Sequence, residues 1–174
     1  KDAIFVNDGE HTMAISRAMQ TMRTPRERLD AGTSGCMGVG VPYAIGAQIA
    51  RPGQRVVCMN GDYAVGWNIM ELETAVRHEL PILFIVANNG TIRPGAMPFD
   101  NHAFTPEQGV RYDLLMQSVG GYGENVQSAA ELRPALERAL SCGRAALLNV
   151  AIDPHAKRKT QEFDWLTREG KSSY

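Results

Sequence analysis

The sequence predicts an α/β fold: an open, mostly parallel sheet with helices on both faces. Three observations predict it. Short apolar runs alternate with segments of helical period along most of the chain. Most runs end in a glycine-rich or polar cluster, where parallel sheets collect their ligands. Residues 81–87 (PILFIVA) are continuously apolar, as a strand buried on both sides of a parallel sheet must be. The length of 174 residues suits one domain. With 44% hydrophobic and 21% charged residues the composition is that of an ordinary globular protein.

The elements follow in order. Residues 3–6 (AIFV) form a short strand ending in the turn Asn7-Asp8-Gly9. Residues 11–22 place Met13, Ile15, Ala18, Met19 and Met22 at mixed helical spacing, which predicts a helix. Residues 24–28 are a polar break with a small basic cluster. Residues 32–40 are rich in glycine, and the small and apolar residues 42–50 then suit a tightly packed helix that Pro52-Gly53 stops. Residues 55–59 (RVVCM) are a strand running into Asn60-Gly61-Asp62. Asn68 and Glu71 resemble a capping pair for a helix that carries Ile69, Leu72, Val76 and Leu80 on one face. The strand 81–87 ends at Asn88-Asn89-Gly90. About twenty polar, proline-marked residues come next, too long for a plain connector and so expected to be a functional loop. Ser128 and Glu131 form a second capping pair, Leu132, Leu136 and Leu140 line one helical face, Gly143 closes that helix, and residues 145–152 are the last strand. The expected division is a ligand-binding domain over residues 1–152 and a charged tail over residues 153–174.

Composition excludes several classes. Eighteen basic against nineteen acidic residues leave a net charge of −1, so no overall field draws in nucleic acid or an anionic membrane. No apolar run approaches the roughly 18–20 residues of a membrane span, and no signal-peptide pattern opens the chain. Three unclustered cysteines argue against a disulfide scaffold or a cysteine zinc site and favour a reduced, cytoplasmic setting. Lys1 in first position points to a processed chain or a piece of a longer one. His78, His102 and His155 have no partners at metal or triad spacing and read as surface residues, and Cys58 reads as a small buried hydrophobe.

Two strand ends carry the chemistry. Gly61-Asp62 follows one strand and Asn88-Asn89 the next, with 27 residues from Asp62 to Asn89. One helix and one strand fill that gap, so the crossover returns the chain beside its starting point. A carboxylate and a carboxamide oxygen then converge, a hard-oxygen pair that suits Mg²⁺ sharing its shell with phosphates. The flanking glycines let backbone amides approach a phosphate closely. Taken singly, an aspartate after a strand is a common helix cap and Asn-Asn-Gly a common turn.

The stretch Asn60-Gly61-Asp62, then residues 70–75 (MELETA), Leu80-Pro81 and Asn88-Asn89-Gly90, resembles the thiamine-diphosphate fingerprint of the pyruvate-decarboxylase and acetolactate-synthase superfamily. That family usually has glycine where Tyr63 stands. Residues 25–33 (PRERLDAGT), 37–40 (MGVG) and 88–92 (NNGTI) are similar to oxalyl-CoA decarboxylases and 2-hydroxyacyl-CoA lyases, with Arg93 where that branch has tyrosine. The resemblance covers residues 3–152 and implies the roles that follow. Asp62 and Asn89 would bind Mg²⁺ through their side chains, with the Thr91 carbonyl as a third ligand and Ile92 beside the cofactor. Backbone amides of Tyr63 and Ala64, next to Gly61, would hold the diphosphate, and Gly9, Glu10 and His11 match the first diphosphate-contacting turn. The Gly35 carbonyl would face the aminopyrimidine. Met37 would wedge beneath the thiazolium and enforce the bent conformer that brings the cofactor's own nitrogen to its C2 proton; without the neighbouring glycines, plain core packing would explain Met37 as well.

The resemblance also implies what is missing. The superfamily builds its site between two domains, and a pyrimidine-binding domain supplies the activating glutamate. Glu71 and Glu73 sit on the crossover helix and match no such pattern. The chain would therefore need a pyrimidine-binding domain or subunit, in a hetero-oligomer, dimer or tetramer. Its substrate would be an acyl-CoA thioester, with Lys157, Arg158 and Lys159, or Arg26 and Arg28, near the coenzyme phosphates. Two alternatives stay open: a 2-oxoacid carboligase of acetolactate-synthase type, and a non-catalytic partner subunit, which Tyr63 favours.

Overall fold

The computed structural model describes residues 3–90 and 109–154. Six strands and six helices run β1 (Ile4–Asp8), α1 (Glu10–Met19), β2 (Arg28–Asp30), α2 (Gly40–Ala50), β3 (Val56–Gly61), α3 (Asp62–Gly66), α4 (Glu71–Arg77), β4 (Leu83–Asn88), α5 (Tyr112–Ser118), β5 (Tyr122–Val126), α6 (Ala129–Ser141) and β6 (Ala146–Ala151). The strands form one sheet in the order β2-β1-β3-β4-β6-β5, and every neighbouring pair is parallel. The open parallel α/β fold expected from the sequence is the fold observed.

Two apolar cores lie on opposite faces of this sheet. The two-residue period of β4 divides its side chains between them: Phe84 and Val86 enter one core, Leu83 and Ile85 the other. On the first face Ile4, Val6, Val56, Cys58 and Leu147 meet Val41, Ala44 and Ile45 of α2, Leu72 and Ala75 of α4, and Tyr112 and Met116 of α5. On the second, Val126, Ala146 and Leu148 meet Ala135 and Ala139 of α6. Helix α1 covers the same side of β1 as Asn7, whose carboxamide pairs with that of Gln20 at the helix end, 3.1 Å in each direction. Cys58 is fully buried, as the sequence predicts, and burial pushes its thiol well above the usual range.

Several elements differ from expectation. Residues 28–30, read as part of a polar break and its sequel, form β2. They pair with β1 from Phe5–Arg28 to Asn7–Asp30, and Arg17 of α1 clamps Asp30 at 2.6 Å. The residues of α5 and β5 carry no strong period. β5 is an edge strand bonded on one side only; Val126 is buried, and the half-buried residues 122–125 have no need to alternate. Asn68 does not cap α4. The chain is already turning there, with the Glu71 N–H bonded to the Asn68 carbonyl at 3.1 Å, and Met70 takes the N-cap position in a helical conformation. The Asn68 side chain donates instead to the Gly38 carbonyl at 2.6 Å.

The Ser128–Glu131 capping box of α6 is present. The residues α6 buries completely are Ala135 and Ala139, however, while Leu132 and Leu136 are half-buried and Leu140 is exposed. Strand β4 is likewise less enclosed than a fully buried strand, because Ile85 and Ala87 are only half-buried. The expected functional loop after Gly90 and nearly all of the charged tail lie outside the described residues. Among the described residues no helix is long and apolar enough to cross a membrane.

Phe84 has no exposed surface and lies at the centre of the first core. Phe84→Ala is expected to lower stability by about 3–5 kcal/mol through lost burial and the cavity left behind. Equilibrium urea unfolding of the chain checks this as a drop in midpoint at unchanged slope.

Candidate functional site

The sheet's connections part company at β1 and β3. From β1 the chain leaves through α1 to β2 on one side; from β3 it leaves through α3 and α4 to β4 on the other. The carboxyl ends of these two adjacent strands flank the topological switch point, the crevice where open α/β sheets bind ligands. Asp8-Gly9 ends β1 there, Asn60-Gly61-Asp62 ends β3, and Asn88-Asn89-Gly90 ends β4 alongside.

Gly9 has φ +92°, and a Cβ on it would sit 3.2 Å from the Gly61 nitrogen. The first two turns therefore meet backbone to backbone, which a side chain at position 9 would prevent. Helix α1 starts directly after Gly9 with no side-chain cap over its first turn, and Glu10 and His11 are exposed. Uncapped amides at a helix start of this kind suit an anion.

Asp62 joins the second turn to the third. Its Oδ1 accepts the Tyr63 N–H at 2.8 Å, and its Oδ2 accepts the Gly90 N–H at 2.9 Å from the end of β4. Burial pushes the carboxyl above its ordinary range, while the backbone amides of Tyr63, Gly90 and Asn89 oppose that shift. Asp62 and Asn89 thus reach the same edge, both half-buried. Behind them the Tyr112 hydroxyl donates to the Asp62 carbonyl at 2.9 Å, and burial raises this phenol to about 12. Asn88 turns away into a structural ladder. Its Nδ2 donates to the Val110 carbonyl at 2.9 Å and to Asn149 Oδ1 at 3.0 Å, and Asn149 donates onward to Asn125 at 2.9 Å.

The glycine-rich segment between β2 and α2 comes down on the first two turns. Asp8, only 1% exposed, accepts the Gly9 N–H on Oδ1 at 2.7 Å and the N–H groups of Gly38 and Gly40 on Oδ2 at 3.0 and 2.8 Å. Gly40 admits no side chain, since a Cβ there would lie 2.2 Å from Asn60 Oδ1 and 2.8 Å from the Asp8 Cβ. Gly35, with φ +62°, and Met37 are both exposed on this segment. Ala64 of α3 is buried, whereas Tyr63 is exposed and stands edge-to-face with Trp67, ring centroids 6.3 Å apart. Asp62, Tyr63, Gly66, Trp67 and Tyr112 line an open cleft of about 400 Å³.

The structure therefore gathers Gly9, Glu10, His11, Gly61, Asp62, Tyr63, Ala64 and Asn89 at one sheet edge, with Gly35 and Met37 on the segment bound to it. Thr91 and Ile92 lie outside the described residues. Three residues at this edge escaped the sequence reading: Asp8, Asn68 and Tyr112. A hint existed only for Asp8, a carboxylate placed between an apolar run and a glycine. Among the described residues no three His, Cys, Asp or Glu side chains cluster as a metal cage. A cation here would rest on Asp62 and neutral oxygens, a donor set that fits Mg²⁺ shared with phosphate.

A family model described as thiamine pyrophosphate enzyme, C-terminal TPP binding domain, matches residues 8–150. The chain is 39% identical to 2-hydroxyacyl-CoA lyase 1 of Mus musculus, an alignment covering 97% of this chain and 32% of that protein. It is 40% identical to oxalyl-CoA decarboxylase of Escherichia coli K12, over 90% of this chain and 28% of that one. A solved thiamine diphosphate-dependent 4-hydroxybenzoylformate decarboxylase of Rhodococcus jostii RHA1 superposes with a TM-score of 0.77 at 26% identity, over 88% of this chain and 30% of that chain. The chain thus spans about a third of the length of the relatives it matches. With residues 8–150 matched, the chain belongs to the family of thiamine diphosphate (thiamine pyrophosphate) enzyme C-terminal TPP-binding domains.

Proposed function

We propose that this chain is the thiamine-diphosphate- and Mg²⁺-binding part of a carbon–carbon lyase or decarboxylase acting on 2-hydroxyacyl-CoA or oxalyl-CoA thioesters. A pyrimidine-binding domain or subunit carrying the activating glutamate completes it, in a dimer or larger assembly. Residues 1–152 are the binding unit, and the setting is cytoplasmic, as three free cysteines suggest. The observation that carries the reading is the Asp62 carboxylate bridging the ends of β3 and β4 beside the switch point.

The residues present fit the group. Asp62 and Asn89 would supply side-chain oxygens for the metal; Thr91, the third expected ligand, lies outside the described residues. The first two turns, where Gly9 meets Gly61 and α1 starts at Glu10 and His11, would face the phosphate oxygens. Ala64 and Tyr63 offer amides to the diphosphate; the Tyr63 amide already donates to Asp62 Oδ1, so this service competes with that bond. Gly35 offers its carbonyl to the aminopyrimidine. Met37, exposed and polarisable, would pack against the thiazolium. When bound, the cofactor supplies an electron sink for breaking the carbon–carbon bond. The protein's part is to bind it, bend it and exclude water.

Asp62→Ala should cut Mg²⁺-dependent cofactor affinity by more than the roughly 10–100-fold typical of losing an outer-shell partner, and Asp62→Asn should cut it less. Calorimetric titration of the assembled enzyme reads both. Parent-like affinity in both variants would remove the metal assignment.

Met37→Ala should weaken cofactor binding only a few fold and lower kcat about 100-fold, because misplacing a reactive geometry costs on that order. Steady-state kinetics at saturating cofactor separate the two effects. Equal losses in affinity with kcat unchanged would contradict the wedge.

The chain alone should show almost no turnover, since acid–base help of the missing kind contributes about 10²–10⁴-fold. Activity should return on mixing with a pyrimidine-binding chain. Assays with a coenzyme A thioester and with pyruvate then decide between the lyase and a carboligase of acetolactate-synthase type. Full turnover by the chain alone would overturn the two-component reading, and an assembled chain that binds no cofactor would favour a non-catalytic partner.

A further inference from the structure

The glycine-rich segment, residues 31–39, is exposed along most of its length, so burial does little to hold it. Polar groups at its two ends hold it instead. At its start Asp30 Oδ1 accepts the Gly32 N–H at 2.8 Å. At its finish Gly38 is gripped on both sides of its backbone: its N–H donates to Asp8 Oδ2 at 3.0 Å, and its carbonyl accepts Asn68 Nδ2 at 2.6 Å. Gly38 has φ +92°, and a Cβ on it would come within 2.9 Å of both Trp67 Cβ and Asn68 Nδ2. Met37 is the residue directly before this gripped position. Its backbone direction is therefore set by two side chains that arrive from the ends of β1 and α3.

We propose that Asp8 and Asn68 are positioning residues for Met37, with Asp8 also coupling the Met37 segment to the Gly9 turn. The inference rests on the reading of Met37 as the residue beneath the cofactor. Asp8 has both oxygens committed to backbone N–H groups and almost no exposed surface, so it acts through the segment and not on a substrate. Its two oxygens face different parts of the site. Oδ1 holds the turn at Gly9, and Oδ2 holds Gly38 and the first residue of α2. A single carboxylate thus keeps the wedge at a fixed offset from the turn proposed for the diphosphate. Asn68 is exposed and its side chain donates to the Gly38 carbonyl, not to the Gly9 turn, which makes its contribution separable from that of Asp8.

Hydrogen exchange on the purified chain, without cofactor, tests the grip. Asp8→Asn should raise exchange at the Gly38 and Gly40 amides at least tenfold while β4 stays as protected as in the parent. Asn68→Ala should loosen the same segment by a smaller factor, and it serves alone if Asp8→Asn fails to fold. Kinetics of the enzyme completed by its pyrimidine-binding domain then test the route through Met37. Each variant should lower kcat, about 100-fold for Asp8→Asn, with substrate KM changed less than threefold. The double variant Asp8→Asn with Met37→Ala should fall little below Met37→Ala alone, because residues acting through one contact are not additive. Unchanged exchange in both variants, or kcat losses that multiply, would overturn the proposal. A parent enzyme that bound no thiamine diphosphate would overturn the cofactor reading instead, and exchange at Gly38 and Gly40 would still decide the grip.

Discussion

β1 and β3 lie side by side from the pair Ile4–Val56 to the pair Asp8–Asn60, and at that last pair the backbone of α2 settles directly on the two side chains. The Asp8 carboxylate is what makes this approach possible. Burying a lone carboxylate costs several kcal/mol, yet each charge-assisted bond from a backbone amide returns about 1.5–3 kcal/mol, and Asp8 accepts three. Its negative charge also faces the start of an eleven-residue helix, where the backbone dipole favours it. Gly40 must then be glycine, since any Cβ would collide with Asn60 and Asp8. The position of α2, the path of the exposed segment before it and the close contact of the Gly9 and Gly61 turns all follow from this one buried group.

The neighbouring strand ends are joined by a different chemistry. Between β4, β6 and β5 the carboxyl edge is tied by the carboxamides of Asn88, Asn149 and Asn125, with the Val110 carbonyl as a shared acceptor. Carboxamides both donate and accept, so a row of them links parallel strands without placing charge in the sheet. The carboxylates at this edge are Asp8 and Asp62 at the ends of β1 and β3; the Asp62 carbonyl is held by Tyr112 and its carboxylate reaches the β4 turn. Half of the edge is thereby a rigid neutral frame, and the other half carries the groups able to meet a phosphate or a cation.

What the sequence disclosed and what it withheld divide along the range of the interactions. The strands at residues 81–87 and 55–59 and the capping box at Ser128 depend on neighbours within a few residues, and each was legible. So was the Asp62–Asn89 relation, because a single crossover of ordinary length separates the two. Asp8 with Gly38 and Gly40, Asn68 with Gly38, and Tyr112 with Asp62 join positions thirty to fifty residues apart through single hydrogen bonds, and no local period marks them. β2 was missed for a related reason: three residues are too few for a pattern, and pairing with β1 alone makes them a strand. Leu132, Leu136 and Leu140 misled in the opposite sense. α6 approaches the sheet closely along Ala135 and Ala139, which lets the larger residues spread to the flanks.

The strand order carries a consequence of its own. β6 is the last strand in sequence among the described residues, yet it lies between β4 and β5, and β5 pairs with no other strand. While the chain is being synthesised, β5 and α6 have no sheet to join until β6, which ends ten residues after α6, has emerged. Closure of this half of the sheet thus runs against the order of translation. A truncation ahead of Ala146 would accordingly remove two strands from the sheet, not one, along with the seat of the helix between them.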